Sequence, residues 1–309
     1  MKRIKRPPKT HGEFQGQLVT VLPGNHDYIE PDKTNLWAHF DDHSGDRVLV
    51  IREKHVLNLA SYDLDVNLYP GPCHAKHSSE NAVGWIREVE KDTDVKHHIG
   101  IAHGSLEGFS PDFDKTYYPM TIDDLTDCGL DLWLLGHTHL QYPITPGALD
   151  RIFYAGTSEP DGFDCSHEGK AWVIAIDVDK QLSAKSLATG TFRFLKDDVE
   201  VRTVDDLEAI QRRYDRPEFL KALLKLKIKG RLPREAYDSL TTAKAAIEEQ
   251  LFYLRWDDSM ITQEITPADI DRMFSRDSFP HTLLMELAEN EEDFEALQEA
   301  YDLVNEVRK

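Results

Sequence analysis

The chain has few cysteines, no long apolar run and no excess of basic residues. Its three cysteines, Cys73, Cys128 and Cys165, are too few and too scattered for a disulfide framework, so they predict a reducing, cytoplasmic location. No run of about 18 apolar residues occurs, which predicts a protein without a membrane-spanning helix or a membrane partner. Residues 1–9 are basic but lack an apolar stretch, so we do not expect a secretory signal there.

The net charge of −20 argues against a broadly cationic surface for nucleic acid. The charge is unevenly distributed along the chain. Residues 1–199 hold 20 basic and 31 acidic side chains, residues 200–259 hold 12 of each, and residues 260–309 hold 4 basic and 13 acidic. A nucleic-acid contact is therefore more plausible in the neutral middle segment than in the acidic tail.

The apolar pattern predicts two α/β regions and a helical tail. From 18 to 180, short apolar strands alternate with polar loops and with helices predicted over 80–91 and 121–127, the second opened by Thr121 as its N-cap. A β-α-β-α-β pattern follows between about 191 and 256, and only helical spacing is seen after 266. We predict domains over 1–185, 186–258 and 259–309.

Three predicted strands end in histidine or asparagine. The sequence Gly24-Asn25-His26-Asp27 follows an apolar run at 18–22, His103-Gly104 follows 99–102, and Gly136-His137-Thr138-His139 follows 132–135. Loops at the carboxyl ends of buried strands are where open α/β sheets place their chemistry. Imidazole and carboxamide ligands suit Mn, Fe or Zn, and the absence of cysteine argues against a structural zinc site. We predict a metal site assembled from these strand ends.

Other clusters of reactive side chains are predicted to be structural. Cys73, His74 and His77 follow Pro70-Gly71-Pro72 and resemble half of a metal-ligand cluster. No second set of ligands accompanies them, so we expect loop residues rather than a metal site. Trp133 and Trp172 are predicted to be core residues rather than base-stacking platforms.

The three strand-end motifs resemble those of the calcineurin-like metallophosphoesterases, in order as well as in placement. The segment 154–160 with 169–173 resembles the end of that domain in DNA-repair exonucleases, the SbcD-like nuclease subunits that pair with an SbcC-type coiled-coil ATPase. The resemblance covers about residues 18–200. It implies an α/β fold, a β-sandwich flanked by helices and incomplete at its amino terminus, with a small α/β capping domain and a helical tail.

The resemblance also implies roles for individual residues. Asn25, His103 and His137 would bind one divalent metal, most plausibly Mn, and His139 would bind a second. His26 would stabilise the transition state or protonate the leaving group, and a further residue, Asp27, would orient that imidazole. DNA is the implied substrate, and an SbcC-type ATPase and a second copy of the chain are the implied partners.

The chain departs from the family's pattern at its start. The family opens with Asp-x-His and then Gly-Asp, whereas Glu13 is the only acidic residue before Gly24. A fragment at 41–46, Asp-Asp-His-Ser-Gly-Asp, offers both patterns but is interpreted as a solvated turn. Since a bridging carboxylate holds two cations together, we expect one metal rather than two. Two alternatives remain open: a generic phosphatase or cyclic-nucleotide phosphodiesterase, and a catalytically impaired scaffold subunit of an ATPase–nuclease complex.

Overall fold

The computed structural model describes residues 17–30, 36–45, 47–110, 112–147, 149–165, 167–290 and 293–308. Two compact units are present: the first holds the described residues up to Asp161 together with 167–191, and the second holds 162–166 and 192–309. Each unit contains both strands and helices, which confirms the mixed α/β class. The predicted three-part division at 185 and 258 stays a prediction.

The first unit is built mainly from short strands. Its elements are, in order, β1 (Val19–Val21), α1 (Leu36–His43), β2 (Val48–Val50), β3 (Leu57–Asn58), β4 (Val66–Gly71), β5 (His97–His103), α2 (Ile122–Thr126), β6 (Leu132–Gly136), β7 (Ile152–Tyr154), β8 (Lys170–Ile176) and β9 (Leu182–Ala188).

The main sheet of this unit has five strands in the order β3-β4-β5-β6-β7. Strands β4 to β7 are parallel, and β3 pairs antiparallel with β4. Tyr69, Trp133 and Tyr154 anchor the core on one face. On the other face Ile99 and Ile101 belong to a second core, to which residues in and around the parallel β1–β2 pair contribute. Because β4, β5 and β6 run the same way, their carboxyl ends lie at one edge of the sheet.

Local chemistry explains where helix α2 begins. The Thr121 side chain accepts a hydrogen bond from the Asp124 backbone N–H, and the Asp124 carboxylate accepts one from the Thr121 N–H. This reciprocal capping box satisfies two backbone donors that have no intrahelical partner. The predicted N-cap at Thr121 is confirmed.

Two local predictions in the first unit were wrong. The helix predicted over 80–91 is a short 3₁₀ helix at Gly84–Glu88, since β-branched Val83 and Val89 flank it and disfavour a longer α-helix. Residues 41–43 of the fragment at 41–46 lie in α1 rather than in a turn, and this helix is anchored by the buried Trp37. Asp46 lies outside the described residues. Strand β9, which pairs antiparallel with β8, was not predicted.

The second unit follows the predicted β-α-β-α-β order. Its elements are β10 (Arg193–Glu200), α3 (Val204–Tyr214), β11 (Ala222–Leu232), α4 (Arg234–Glu248), β12 (Tyr253–Gln263), α5 (Pro267–Met273), α6 (Phe279–Ala288) and α7 (Phe294–Arg308). The three strands form a parallel sheet in the order β10-β11-β12. The last three helices share their own small core around Ile270, Leu284 and Leu297. Among the described residues, no helix is both long and apolar enough to cross a membrane.

Candidate metal centre

Three of the predicted ligands come together at the carboxyl edge of the main sheet. His103 ends β5 and pairs in register with Gly136, the last residue of β6, so His137 follows directly beside it. The loop after β1 is tied to the same edge because the Cys73 N–H donates to the Pro23 carbonyl at 3.1 Å. The fold thus brings Asn25, His103 and His137 together from distant parts of the chain.

Asn25 and His103 are in direct contact. The His103 Nε2 lies 2.9 Å from the Asn25 Oδ1, and since a carboxamide oxygen can only accept, the imidazole donates. Asn25 is only 2% exposed, and its Nδ2 has no hydrogen-bond partner among the described residues. A buried N–H donor without a partner is costly, which indicates a hydrogen-bond acceptor rather than a cation next to the Nδ2.

Two glycines make room for the His103 ring. A Cβ at Gly24 would lie 2.6 Å from the His103 Cε1, and one at Gly136 would lie 3.0 Å from its Nδ1. A glycine at a strand end also lets the backbone turn sharply and approach an ion closely. The structure adds a second reason: any side chain at Gly24 would displace the imidazole from its place beside Asn25.

Burial keeps the two central histidines neutral. Burial lowers the pKa of His103 to about 4, and the positive charges that His137, His26 and His139 would carry act in the same direction. Burial also lowers the pKa of His137, while the negative charge of Asp112 opposes that shift. A neutral imidazole has a free lone pair, which is the form that binds metals.

The lowered pKa of His103 predicts acid sensitivity. The folded state binds a proton on His103 less readily than the unfolded state does. The contribution of His103 to the free energy of unfolding is therefore fully present above the unfolded-state pKa near 6.5, and it is lost as the pH falls from there to about 4. We expect His103→Gln to remove a pH-dependent part of about 3 kcal/mol from the free energy of unfolding over this range. Urea unfolding in EDTA, compared with the exposed-site variant His55→Gln, measures it; equal pH profiles for the two variants would contradict the prediction.

His137 has an unusual backbone conformation. Its φ is +116°, which residues other than glycine rarely adopt. The ring packs against His103 with centroids 5.5 Å apart and against Tyr117 at 5.2 Å. Strained backbone of this kind costs about 1–3 kcal/mol and concentrates at functional sites. The structure therefore holds this imidazole at the strand end against a local conformational preference.

Asp112 is a functional candidate that the sequence did not reveal. Its carboxylate accepts from the Ser105 hydroxyl at 2.7 Å and from the backbone N–H groups of Thr116 and Tyr117. Burial alone would raise the pKa of Asp112, but these hydrogen bonds outweigh it and hold the pKa below its usual value. A fixed negative charge therefore faces His137. No motif marks Asp112, which lies 25 positions before that histidine in a loop.

His139 is placed differently from the other histidines. Its side chain is 56% exposed, and its Nδ1 lies 3.0 Å from the Asp161 Oδ2. A carboxylate on one ring nitrogen orients the other toward a ligand, as in many metal sites. Asp161 was also missed, because it follows the family-like segment 154–160 by one residue. The assignment of His139 to a second metal stays a prediction.

The predicted catalytic pair is only partly explained by the geometry. His26 is exposed, as a residue that meets substrate must be, and a positive charge on it would lower the pKa values of His103 and His137. The Asp27 carboxylate accepts from the Gly24 N–H at 2.7 Å, which closes the loop that carries Asn25. That contact gives Asp27 a role in shaping the loop, and its predicted role in orienting His26 stays a prediction.

The donor set fits one divalent ion better than two. Two neighbouring ligands, each about 2.1 Å from an ion, lie about 3 Å apart. The 2.9 Å between the Asn25 Oδ1 and the His103 Nε2 matches this spacing, and the Nε2 can bind an ion in the tautomer that carries the imidazole proton on Nδ1. His137 supplies a third donor next to them. However, no group of three His, Cys, Asp or Glu side chains suited to a metal occurs in the described part of the chain. The described residues offer no comparable set of ligands for a second ion.

The other side chains singled out in the sequence are core, half-buried or loop residues outside the metal centre. Cys73 is fully buried, and burial, with the charge of Asp27 adding to it, raises the pKa of its thiol to about 12. His74 and His77 are exposed loop residues. Trp133 is 1% exposed and donates from its indole to the Leu125 carbonyl, whereas Trp172 is half-buried and donates to the Tyr154 carbonyl.

Comparison with known proteins bears on the same chemistry. No family model matches the chain. A protein of Bacillus subtilis strain 168, described as the uncharacterized metallophosphoesterase YhaO, is 49% identical over 129 residues. This similarity supports a metallophosphoesterase. The matched region covers 40% of the chain and 28% of that relative's length.

Proposed function

We propose that the protein is a metal-dependent phosphodiester hydrolase of the DNA-repair nuclease type. The observation that carries the proposal is the 2.9 Å contact between the Asn25 carboxamide and the His103 imidazole, with His137 beside them at one sheet edge. The similarity to a metallophosphoesterase supports the same chemistry.

Asn25, His103 and His137 would hold one divalent ion. The chemistry that such an ion supplies is polarisation of a phosphoryl oxygen and a lowered pKa for bound water. The chain's own residues set the conditions for it. Gly24 and Gly136 keep the His103 ring in place, and burial keeps both imidazoles unprotonated at neutral pH.

His26 would contact the phosphate. It lies in the loop that carries Asn25, and its exposed ring can donate a hydrogen bond to a phosphoryl oxygen or a proton to the leaving group. Asp112 and Asp161 would fix the neighbouring histidines by charge and by hydrogen bonding. In this arrangement two carboxylates absent from the predicted motifs support the imidazoles.

Finer features belong to the same proposal. Nitrogen and oxygen donors suit Mn, which we expect as the activating metal. DNA is the proposed substrate, and an SbcC-type ATPase and a second copy of the chain are the proposed partners. Helix α7 exposes Leu303 and Val307, which supports docking of another protein. The three cysteines are free, which supports a reducing cytoplasm.

The proposal is tested by metal analysis and hydrolysis together. We expect about one tightly held Mn per chain after loading and gel filtration, and Mn-dependent hydrolysis of bis(p-nitrophenyl) phosphate. Asn25→Ala should lower both, because it removes a buried ligand. As a matched control, Asn58→Ala changes a remote amide that bonds Asn67 and should leave both unchanged. Bound metal without hydrolysis would contradict the hydrolase proposal.

A non-catalytic scaffold is the second candidate. It is favoured by the lack of a group of three His, Cys, Asp or Glu ligands among the described residues. Such a protein would hold at most one metal at a degenerate site and would not hydrolyse a small phosphodiester. The two candidates therefore give opposite results in the same experiment.

A further inference from the structure

The three-stranded sheet of the second unit is covered by helices on one face. Leu207 and Ile210 of α3 and Leu240 and Ile247 of α4 pack against the strands there, where alternate residues of β11 are fully buried. The intervening residues of β11, which include Lys225 and Lys227, are only half-buried and face the other way.

Cations are aligned across this second face. The register pairs Lys196 of β10 with Lys225 of β11, and Lys225 with Arg255 of β12. Neighbouring strands are about 4.8 Å apart, so three positive side chains stand in a row across the sheet. Like charges directly opposite one another are unfavourable in a sheet. The row therefore needs a negative partner.

The described residues neutralise only one end of the row. Lys196 forms an ion pair with Asp164, whose side chain is fully exposed, and such surface pairs contribute little. Lys225 and Arg255 form no direct ion pair with any described residue, although Asp164 and Asp257 lie close enough to Lys225 to interact with its charge. The next row toward the strands' carboxyl ends is mixed, with Lys227 between Asp198 and Asp257. The positive charges of this face without a direct ion pair are therefore those of Lys225 and Arg255.

An apolar row lies beside the cationic one. Phe194, Leu223 and Tyr253 are paired across the three strands, two residues before the cations. Phe194 is in edge contact with Phe163, and Tyr253 is 49% exposed. An aromatic ring next to cations on an open sheet offers a stacking surface for a base and counter-charges for its phosphate.

We propose that this sheet face, defined by Lys225, Arg255 and Tyr253, binds single-stranded nucleic acid. The inference deepens the proposed function, on which it rests for the identity of the polymer: it assigns the surface that would hold a strand. It also agrees with the charge distribution, since residues 200–259 are neutral in an otherwise acidic chain. An acidic peptide would satisfy the cations but not the exposed aromatic ring.

The experiment measures binding without catalysis. Fluorescence anisotropy of the full chain with a labelled oligodeoxythymidylate of about 16 nucleotides, in EDTA, gives Kd as a function of salt. We expect Lys225→Gln/Arg255→Gln to weaken binding about tenfold at low salt and to reduce the slope of log Kd against log salt by about 1.4. Tyr253→Leu should weaken binding about tenfold with the slope unchanged, because it removes stacking and no charge.

Matched variants separate this surface from general charge effects. Lys244→Gln/Arg212→Gln removes the same two charges from exposed positions of α4 and α3, and its binding should equal that of the unmodified chain. Asp164→Asn should tighten binding, because it frees Lys196. Equal losses of oligonucleotide binding in both double variants would overturn the proposal. Binding of each variant to phosphatidylserine vesicles is measured in parallel. If Lys225→Gln/Arg255→Gln lost vesicle binding but kept oligonucleotide binding, the face would bind an anionic membrane and the proposal would also fail. Hydrolysis of bis(p-nitrophenyl) phosphate is scored separately, so failure of the hydrolase proposal stays distinguishable.

Discussion

Replacement of His26 by glutamine should lower kcat for Mn-dependent hydrolysis of bis(p-nitrophenyl) phosphate by about 10²–10⁴-fold, the range expected when a proton-transfer residue is removed. Glutamine can still donate a hydrogen bond but cannot deliver a proton at neutral pH. His26 is exposed beside the buried donors and is not itself among them, so the Mn content should not change. Steady-state kinetics and metal analysis of the same preparation measure the two quantities.

Metal content and kcat together show whether His26 is a proton donor, a metal ligand or neither. His55→Gln replaces another exposed histidine, whose nearest charged partner is Glu53, and should keep full activity. A His26 variant that loses metal and activity in parallel would show that His26 is a ligand. A variant with unchanged kcat would remove His26 from the mechanism altogether.

Gly100→Ala should strongly lower the stability of the first unit. The new Cβ would lie 2.2 Å from the Trp133 Cε3, and that indole is 1% exposed and rigidly packed in the main core. Neither the ring nor strand β5 can move without disturbing the sheet edge that carries His103. We expect a loss of about 3 kcal/mol in the free energy of unfolding.

Tryptophan fluorescence during urea unfolding measures this loss. Trp37, Trp85, Trp133 and Trp172 belong to the first unit, so the signal reports mainly on it. Gly45→Ala is the matched control, because a Cβ there meets no atom within 4 Å. An unchanged urea midpoint for Gly100→Ala would contradict the close packing of Gly100 against Trp133.

The strand-end motifs were predictable because their signals are local. Apolar runs before Gly24, His103 and Gly136 mark strands, and the parallel neighbours β5 and β6 align their carboxyl ends. Strand β1 pairs with β2 instead, so contacts of its loop bring Asn25 to the same edge. The β-α-β-α-β order of the second unit was predictable from periodicity for the same reason. The helix predicted over 80–91 was wrong because β-branched residues and tertiary packing shortened it to a 3₁₀ segment.

Other site features depend on contacts between distant loops. Asp112 and Asp161 carry no motif, and the turns after β5 and β7 alone bring them toward His137 and His139. The Asn25 Nδ2 without a partner and the φ of +116° at His137 likewise follow from how the loops pack.

The sequence by itself determined the mixed α/β class, most of the strands and the histidine and asparagine donors at three strand ends, because short-range periodicity and residue chemistry encode these. Only the tertiary structure decided which donors meet, which carboxylates support them, and that Lys225 and Arg255 stand side by side across a sheet. The physical reason is that hydrogen bonding between strands sets the register between segments tens of residues apart, and no local pattern specifies that register.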